Sequence, residues 1–69
     1  MDTSYVVTGM TCQHCVRHVT EEVGAIAGVT HVAIDLGTGA MTVASDAPLP
    51  FATVAAAVAE AGDYAVVPA

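Results

Sequence analysis

Residues 9–15 read GMTCQHC, and this segment decides the fold of the chain because a strand pattern ends there and a helical pattern begins. It holds both cysteines, Cys12 and Cys15, separated by two residues. Two sulfurs at this spacing can bind one metal ion or close into a disulfide. The pair lies at the predicted start of a helix, where unpaired backbone N–H groups and the helix dipole favour thiolates.

The residues on either side of this segment predict one strand and one helix. Residues 3–8 are rich in β-branched and aromatic types and predict a strand with Tyr5 and Val7 on one side. After the cysteines, apolar residues at three- and four-residue steps predict one buried helical face, made of Val16, Val19, Val23 and Ile26. We expect Gly28 to end this helix.

The second half of the chain predicts three further strands and a second helix. In order, these are a strand at residues 32–36, a turn at 37–39, a strand at 40–44, a helix from Pro50 to Gly62 and a strand at 64–67. The second helix is predicted to bury Phe51, Val54, Ala55 and Val58. This order predicts an α+β, ferredoxin-like sandwich, with two helices on one face of a four-stranded antiparallel sheet. Right-handed connections would bring the loop before Tyr64 close to the cysteine loop.

Length and hydropathy indicate a single small globule. The 69 residues allow one domain, residues 1–69, and a hydrophobic content of 55% favours a packed core over a disordered chain. No apolar run approaches the roughly 20 residues of a membrane span. The start at Met1 has neither the basic nor the apolar region of a secretory signal. We therefore expect a soluble cytoplasmic protein whose thiols are kept reduced.

The charge of the chain is strongly negative. Seven acidic residues stand against a single basic one, Arg17, which gives a formal net charge of −6. Nucleic acid is therefore an unfavourable partner. An acidic surface steers a protein toward a basic patch on another protein, although it can also serve solubility alone.

The ligand supply around the two cysteines favours a soft, low-coordinate ion. A structural zinc site takes four protein ligands, and His14, His18 and His31 do not have the spacing that would complete one. Cu(I) is satisfied by thiolates at low coordination number. Cys15 lies inside the predicted helix and should be partly covered, whereas Cys12 should be the more exposed sulfur. Such an open site can bind an ion and then release it to the thiol of a partner.

The segment at residues 9–15 resembles the heavy-metal-associated domain family, which includes bacterial copper chaperones and the N-terminal domains of copper-transporting P-type ATPases. The resemblance continues at residues 28–32, similar to the turn into the family's second strand, and at residues 60–62, similar to the end of its second helix. It implies a cytosolic copper chaperone, not an enzyme, that binds Cu(I) through Cys12 and Cys15.

The resemblance also implies the partners. The chaperone would pass Cu(I) by ligand exchange to the metal-binding domain of a copper-transporting P-type ATPase, and a copper-responsive regulator is a further candidate partner. We expect no membrane insertion. The apo chain is expected to be a monomer, although two exposed cysteine pairs can share copper ions and join two chains.

Two other functions are compatible with a pair of nearby cysteines. A thiol-disulfide redox protein also places its cysteines where a strand meets a helix, but neither tryptophan nor proline accompanies them here. A mercury carrier is the second alternative, because Hg(II) also accepts two thiolates. Mercury carriers of the family usually work outside the cytoplasm, and the chain begins without a secretory signal.

Three residues are candidates for supporting the site. Met10 is expected to plug the core beneath the loop more than to act as a thioether ligand. His14 is either a third ligand, a charged neighbour that favours the thiolates, or a solvated residue. Tyr64 resembles an aromatic that shields the metal loop in related bacterial proteins, but Asp63 separates it from the preceding glycine, so the ring either reaches the site or packs with the strand. His18 and His31 are expected to be surface residues.

Overall fold

The computed structural model describes residues 1–69 and confirms the predicted order of the elements. They are β1 (Asp2–Thr8), α1 (Gln13–Gly24), β2 (Val29–Ile34), β3 (Ala40–Ser45), α2 (Phe51–Ala61) and β4 (Ala65–Pro68). The strands form one sheet in the order β2-β3-β1-β4, and every neighbouring pair is antiparallel. Both helices pack on one face of this sheet, which is the predicted ferredoxin-like sandwich. Neither helix combines the length and the apolar character that crossing a membrane would require.

The core between the helices and the sheet is built mainly from valine. Its eight buried residues are Tyr5, Val7, Val19, Val23, Met41, Val43, Val54 and Val58. The two from β1, Tyr5 and Val7, lie on one side of that strand, as predicted, and this side faces the core. Each fully buried valine contributes about 1.5–3 kcal/mol relative to an exposed one. Burial of six valine side chains therefore supplies most of the apolar contact that holds the helices on the sheet.

The first helix ends earlier than the sequence pattern predicts. It stops at Gly24, and the N–H of Ala25 donates to the carbonyl oxygens of Glu21 and Glu22 at 3.1 and 3.3 Å. The prediction that it continues through Ile26 is wrong, because Ile26 lies in the following turn. Its N–H still donates to the Val23 carbonyl at 3.1 Å, which lets its side chain reach the core without belonging to the helix.

The hairpin between β2 and β3 forms at the predicted glycines. Leu36, predicted at the end of the strand, lies in the turn instead. The cause is Asp35, whose carboxylate accepts a hydrogen bond from the Gly37 N–H at 2.8 Å and turns the chain away from the ladder. Gly39 has a positive φ of 78° and lies against the Val7 carbonyl, so only glycine fits there.

The second helix differs from prediction at its first residue. Val54 and Val58 are buried and Ala55 is half-buried, but Phe51 is 41% exposed, so its predicted burial is wrong. Phe51 begins the helix at the margin of the sandwich, where its ring lies 6.3 Å from the ring of Tyr5 with the two planes at 34°.

The last strand begins one residue later than predicted, which leaves Tyr64 in the loop that precedes it. In the ladder between β1 and β4, Thr8 pairs with Ala65. Because both partners stand next to a loop, the segment that carries the cysteines and the segment that carries Tyr64 meet at the same end of the sheet. The predicted meeting of these two loops is confirmed.

Candidate metal centre

The two cysteines occupy the first turn of α1. Cys12 is the N-cap, with extended backbone angles, and its carbonyl oxygen accepts hydrogen bonds from the N–H groups of Cys15 at 3.1 Å and Val16 at 3.3 Å. Its side chain makes no capping hydrogen bond, and the first turn has no acidic residue. Negative charge on either sulfur therefore meets the positive end of the helix dipole without a competing carboxylate.

The two sulfurs are close enough to share an ion. Both thiols are free, and the two Sγ atoms lie 3.7 Å apart, well beyond a disulfide bond length of about 2.05 Å. The separation is also less than about 4.6 Å, which is twice a typical metal–thiolate bond of about 2.3 Å. Cys12 is exposed and Cys15 half-buried, as predicted.

The surroundings of Cys15 favour its thiolate. Its pKa falls from 9.0 to about 6, chiefly because of a backbone hydrogen bond from Thr11 and then because of a hydrogen bond from the Tyr64 hydroxyl. Partial burial opposes this change, while the Cys12 thiol and the Thr11 hydroxyl, 3.9 Å from the sulfur, add to it. At neutral pH this cysteine is therefore mainly the thiolate, which is the form that binds soft metals and acts as a nucleophile.

Tyr64 lies against the cysteine loop. A Cβ placed on Gly9 would sit 3.4 Å from Cδ1 of its ring, and one placed on Gly62 would sit 2.8 Å from Cε2. The two glycines thus leave the space that the ring occupies. The pKa of Tyr64 is raised, first by its hydrogen bond to Cys15, as expected of a hydroxyl that donates to a thiolate. Of the two positions that the sequence left open, the ring takes the one at the site, and its role in shielding a metal remains a prediction.

Met10 and His14 differ in their relation to the sulfurs. Met10 is half-buried and packs against the hydrophobic core, which favours the plug interpretation. His14 is exposed, its ring lies against that of His18, and it is not among the groups that lower the pKa of Cys15. Of the three roles left open for His14, its exposure favours the solvated residue, and its part in a metal site remains a prediction. His31 lies exposed on β2.

Sequence reasoning missed Thr11, the residue with the largest effect on Cys15. Threonine at this position carries little chemical signal of its own, because its largest effect is made through the backbone and its hydroxyl adds only a smaller one. Only its position could have identified Thr11. A residue just before an N-cap lies beside the first helical turn and can direct its N–H to a side chain there. No group of three or more His, Cys, Asp or Glu side chains in the molecule is arranged to hold a metal ion. Cys12 and Cys15 remain the candidate pair of ligands.

Comparison with known proteins shows the family and the fold of the chain. Residues 4–63 match the family described as the heavy-metal-associated domain. A COP-associated protein of Helicobacter felis is 38% identical over 56 residues, which cover 81% of this chain and 85% of the relative. The copper chaperone CopZ of Bacillus subtilis is 46% identical over 41 residues, which cover 59% of each chain.

The fold is shared with a solved structure of a CopZ metallochaperone. The two superpose with a TM-score of 0.87 and 29% sequence identity over 97% of this chain and 100% of the other.

Proposed function

This chain belongs to the heavy-metal-associated domain family, and from that premise we propose that it is a metallochaperone that carries Cu(I) on Cys12 and Cys15. The observation that carries the proposal is the pair of free sulfurs 3.7 Å apart at the exposed N-terminus of α1. The similarity to copper chaperones supports copper as the cargo. The proposed role is binding and delivery, without catalysis.

Ligand chemistry supports Cu(I) over zinc. Two thiolates satisfy Cu(I) at low coordination number, whereas a structural zinc site needs four protein ligands. Because the pKa of Cys15 is lowered, this thiol is already deprotonated at neutral pH, and a bound metal does not have to displace its proton. A site with this donor set binds a soft ion tightly and keeps its coordination open.

Open coordination also supports delivery by ligand exchange. Cys12 is exposed and Cys15 half-buried, so a partner thiolate can reach the ion from the side of Cys12 while Cys15 still holds it. The ion then moves as each thiolate of this chain is replaced by one of the partner's, and no free ion is released. We propose the metal-binding domain of a copper-transporting P-type ATPase as the acceptor.

The remaining parts of the proposal follow from the same site. The chain acts as one domain, residues 1–69, in the cytoplasm, where thiols stay reduced. It is a monomer without copper, and two chains can be bridged when their exposed cysteine pairs share copper. A copper-responsive regulator is a second proposed acceptor, since exchange requires only an accessible pair of thiolates.

The test is a titration of the reduced protein with Cu(I) against a competing chelator, which gives affinity and stoichiometry together. We expect one Cu(I) for each apo monomer, and Zn(II) binding weaker by orders of magnitude. Cys12→Ser with Cys15→Ser should abolish Cu(I) binding, while His31→Gln, a substitution on the distant strand β2, should leave it unchanged. High Cu(I) affinity in the double variant would show that the assignment is wrong.

A further inference from the structure

Two histidines lie one helical turn apart on the exposed surface of α1, and the cysteine pair uses neither of them. His14 and His18 are both exposed, and their ring centroids are 4.6 Å apart with the ring planes at 74°. A separation of four residues places both side chains on one face of the helix. The molecule therefore holds two imidazoles in contact on the helix that carries Cys15.

We propose that His14 and His18 form a second metal site, which takes a divalent ion of the zinc, nickel or copper(II) class. Imidazole nitrogens suit these ions. The spacing of the pair, H-x-x-x-H on a helix, is the one by which two histidines on a single helical face hold zinc. This inference does not rest on the proposed copper function, because it involves neither cysteine.

The rings can reach a shared ion without any change in the backbone. Edge-to-face packing is not the arrangement in which both rings direct a nitrogen at one ion, but exposed side chains change rotamer within nanoseconds. A ring separation of 4.6 Å already places both within reach of one ion. No third His, Cys, Asp or Glu joins them, so water completes the coordination and the ion exchanges readily.

Electrostatics on the side of His18 favour a cation. His18 lines an open surface groove of about 340 Å³ between α1 and α2, together with Glu21, Glu22 and Glu60. The positive end of α1 and the guanidinium of Arg17 act against a cation near His14. The three carboxylates outnumber that guanidinium, which places the favourable approach on the His18 side.

Ligand hardness separates the two sites. Thiolates select Cu(I), whereas imidazole with water selects divalent ions, so both sites can be filled at once. The consequence for the chain is that a divalent ion can bind beside the thiols without displacing the soft one.

The test uses the Cys12→Ser, Cys15→Ser protein, which lacks the thiol site, titrated calorimetrically with Ni²⁺. We expect saturable binding of one ion. His14→Gln and His18→Gln should each weaken it by about 100-fold or more, because each removes the second attachment of a chelate. His31→Gln is the matched control and should change nothing, since that ring lies on β2. Circular dichroism establishes that every variant is folded.

A nuclear magnetic resonance titration adds a readout that does not depend on heat. Ni²⁺ should broaden the side-chain signals of His14 and His18 together and spare those of His31. The proposal is overturned if the double cysteine variant shows no saturable binding, if only one of the two histidines matters, or if His31→Gln weakens binding as much as the other two substitutions do.

Discussion

At the scale of single residues, the Cys15 sulfur shows how two loops determine the chemistry of one thiol. Thr11 reaches it from the loop after β1, and Tyr64 reaches it from the loop before β4. The two act in the same direction, because each stabilises the negative charge of the thiolate. Cys12, at the N-cap, stays exposed for exchange. The pair thus combines one sulfur that is already charged with one that is accessible.

Replacing the Tyr64 hydroxyl should make Cys15 less acidic. In Tyr64→Phe we expect the pKa of Cys15 to rise from about 6 toward 9.0 but not to reach it, because the larger contribution from the Thr11 backbone remains. Thiolate is then lost at a higher pH as the solution is acidified. Ultraviolet absorbance of the thiolate against pH measures this directly, with Cys12→Ser as the background so that one sulfur titrates.

His14→Gln is the matched comparison in that titration. Its curve should overlay that of the parent protein, because His14 is not among the groups that lower the pKa of Cys15. A shift in His14→Gln as large as that in Tyr64→Phe would contradict the role assigned to Tyr64.

At the scale of the elements, two glycines have opposite roles although neither contacts the sulfurs. Gly39 turns the chain between β2 and β3 with a φ of 78°, and a Cβ there would collide with the Val7 carbonyl. Gly24 is the last residue of α1, where a Cβ would meet nothing within 4 Å. A side chain at residue 39 would therefore clash with the backbone, whereas a side chain at residue 24 has free space.

Alanine at these two positions should therefore change stability in opposite directions. Gly39→Ala should lower the free energy of unfolding by more than about 1 kcal/mol, because it combines a disfavoured φ with a steric clash. Gly24→Ala should raise it by up to about 1 kcal/mol, since alanine favours the helix. Urea unfolding measures both. Equal effects of the two substitutions would show that space and φ at Gly39 have been misassigned.

The sequence predicted all six elements and their order because hydrophobic periodicity is strong in each of them. It failed at the ends of elements, where the spacing of apolar residues does not mark the boundary. Ile26 keeps the helical spacing although the helix has ended, since a turn with the Ile26 to Val23 hydrogen bond preserves the direction of the side chain. Phe51 keeps the spacing of the second helix, but it stands at the margin of the sandwich, and periodicity carries no information about where a sheet ends.

The candidate site was predictable to the same degree. Spacing made Cys12 and Cys15 the candidate ligands, and the place of Cys15 on the predicted helix ranked their exposure correctly. Nearness in sequence, by contrast, drew attention to His14 when the groups that act on Cys15 are Thr11 and Tyr64. The topology predicted that the two loops meet, but which of their residues act on Cys15 depends on the register of β1 with β4, and that register is not known before the sheet is known.

At the scale of the whole molecule, the position of the negative charge matters as much as its amount. The chain carries a net charge of −6, and its longest dimension is 30 Å. Salt at 0.1 M screens charges beyond about 10 Å, so carboxylates at the far end act weakly on a partner docked at the cysteine loop. Glu60 and Asp63 lie near that loop, whereas Asp2 and Asp46 lie beside Met1 and Ser45 at the other end.

Two charge-matched double variants separate location from amount. Glu60→Gln with Asp63→Asn should slow association with the ATPase metal-binding domain and reduce its dependence on salt, because steering acts mainly at the docking end. Asp2→Asn with Asp46→Asn changes the net charge equally and should have a smaller effect. Stopped-flow association at low and high ionic strength measures both. Association rates that do not vary with ionic strength would show that the acidic residues serve solubility and not docking.

Two sulfurs of this chain are proposed to hold Cu(I), and X-ray absorption at the copper edge of the loaded, reduced monomer reports both the oxidation state and the ligands of the metal. We expect an edge of monovalent copper and a first shell of sulfur from Cys12 and Cys15, unchanged in His14→Gln. A first shell that contains nitrogen in the parent protein and loses it in His14→Gln, or a first shell without sulfur, would show that the proposed site is wrong.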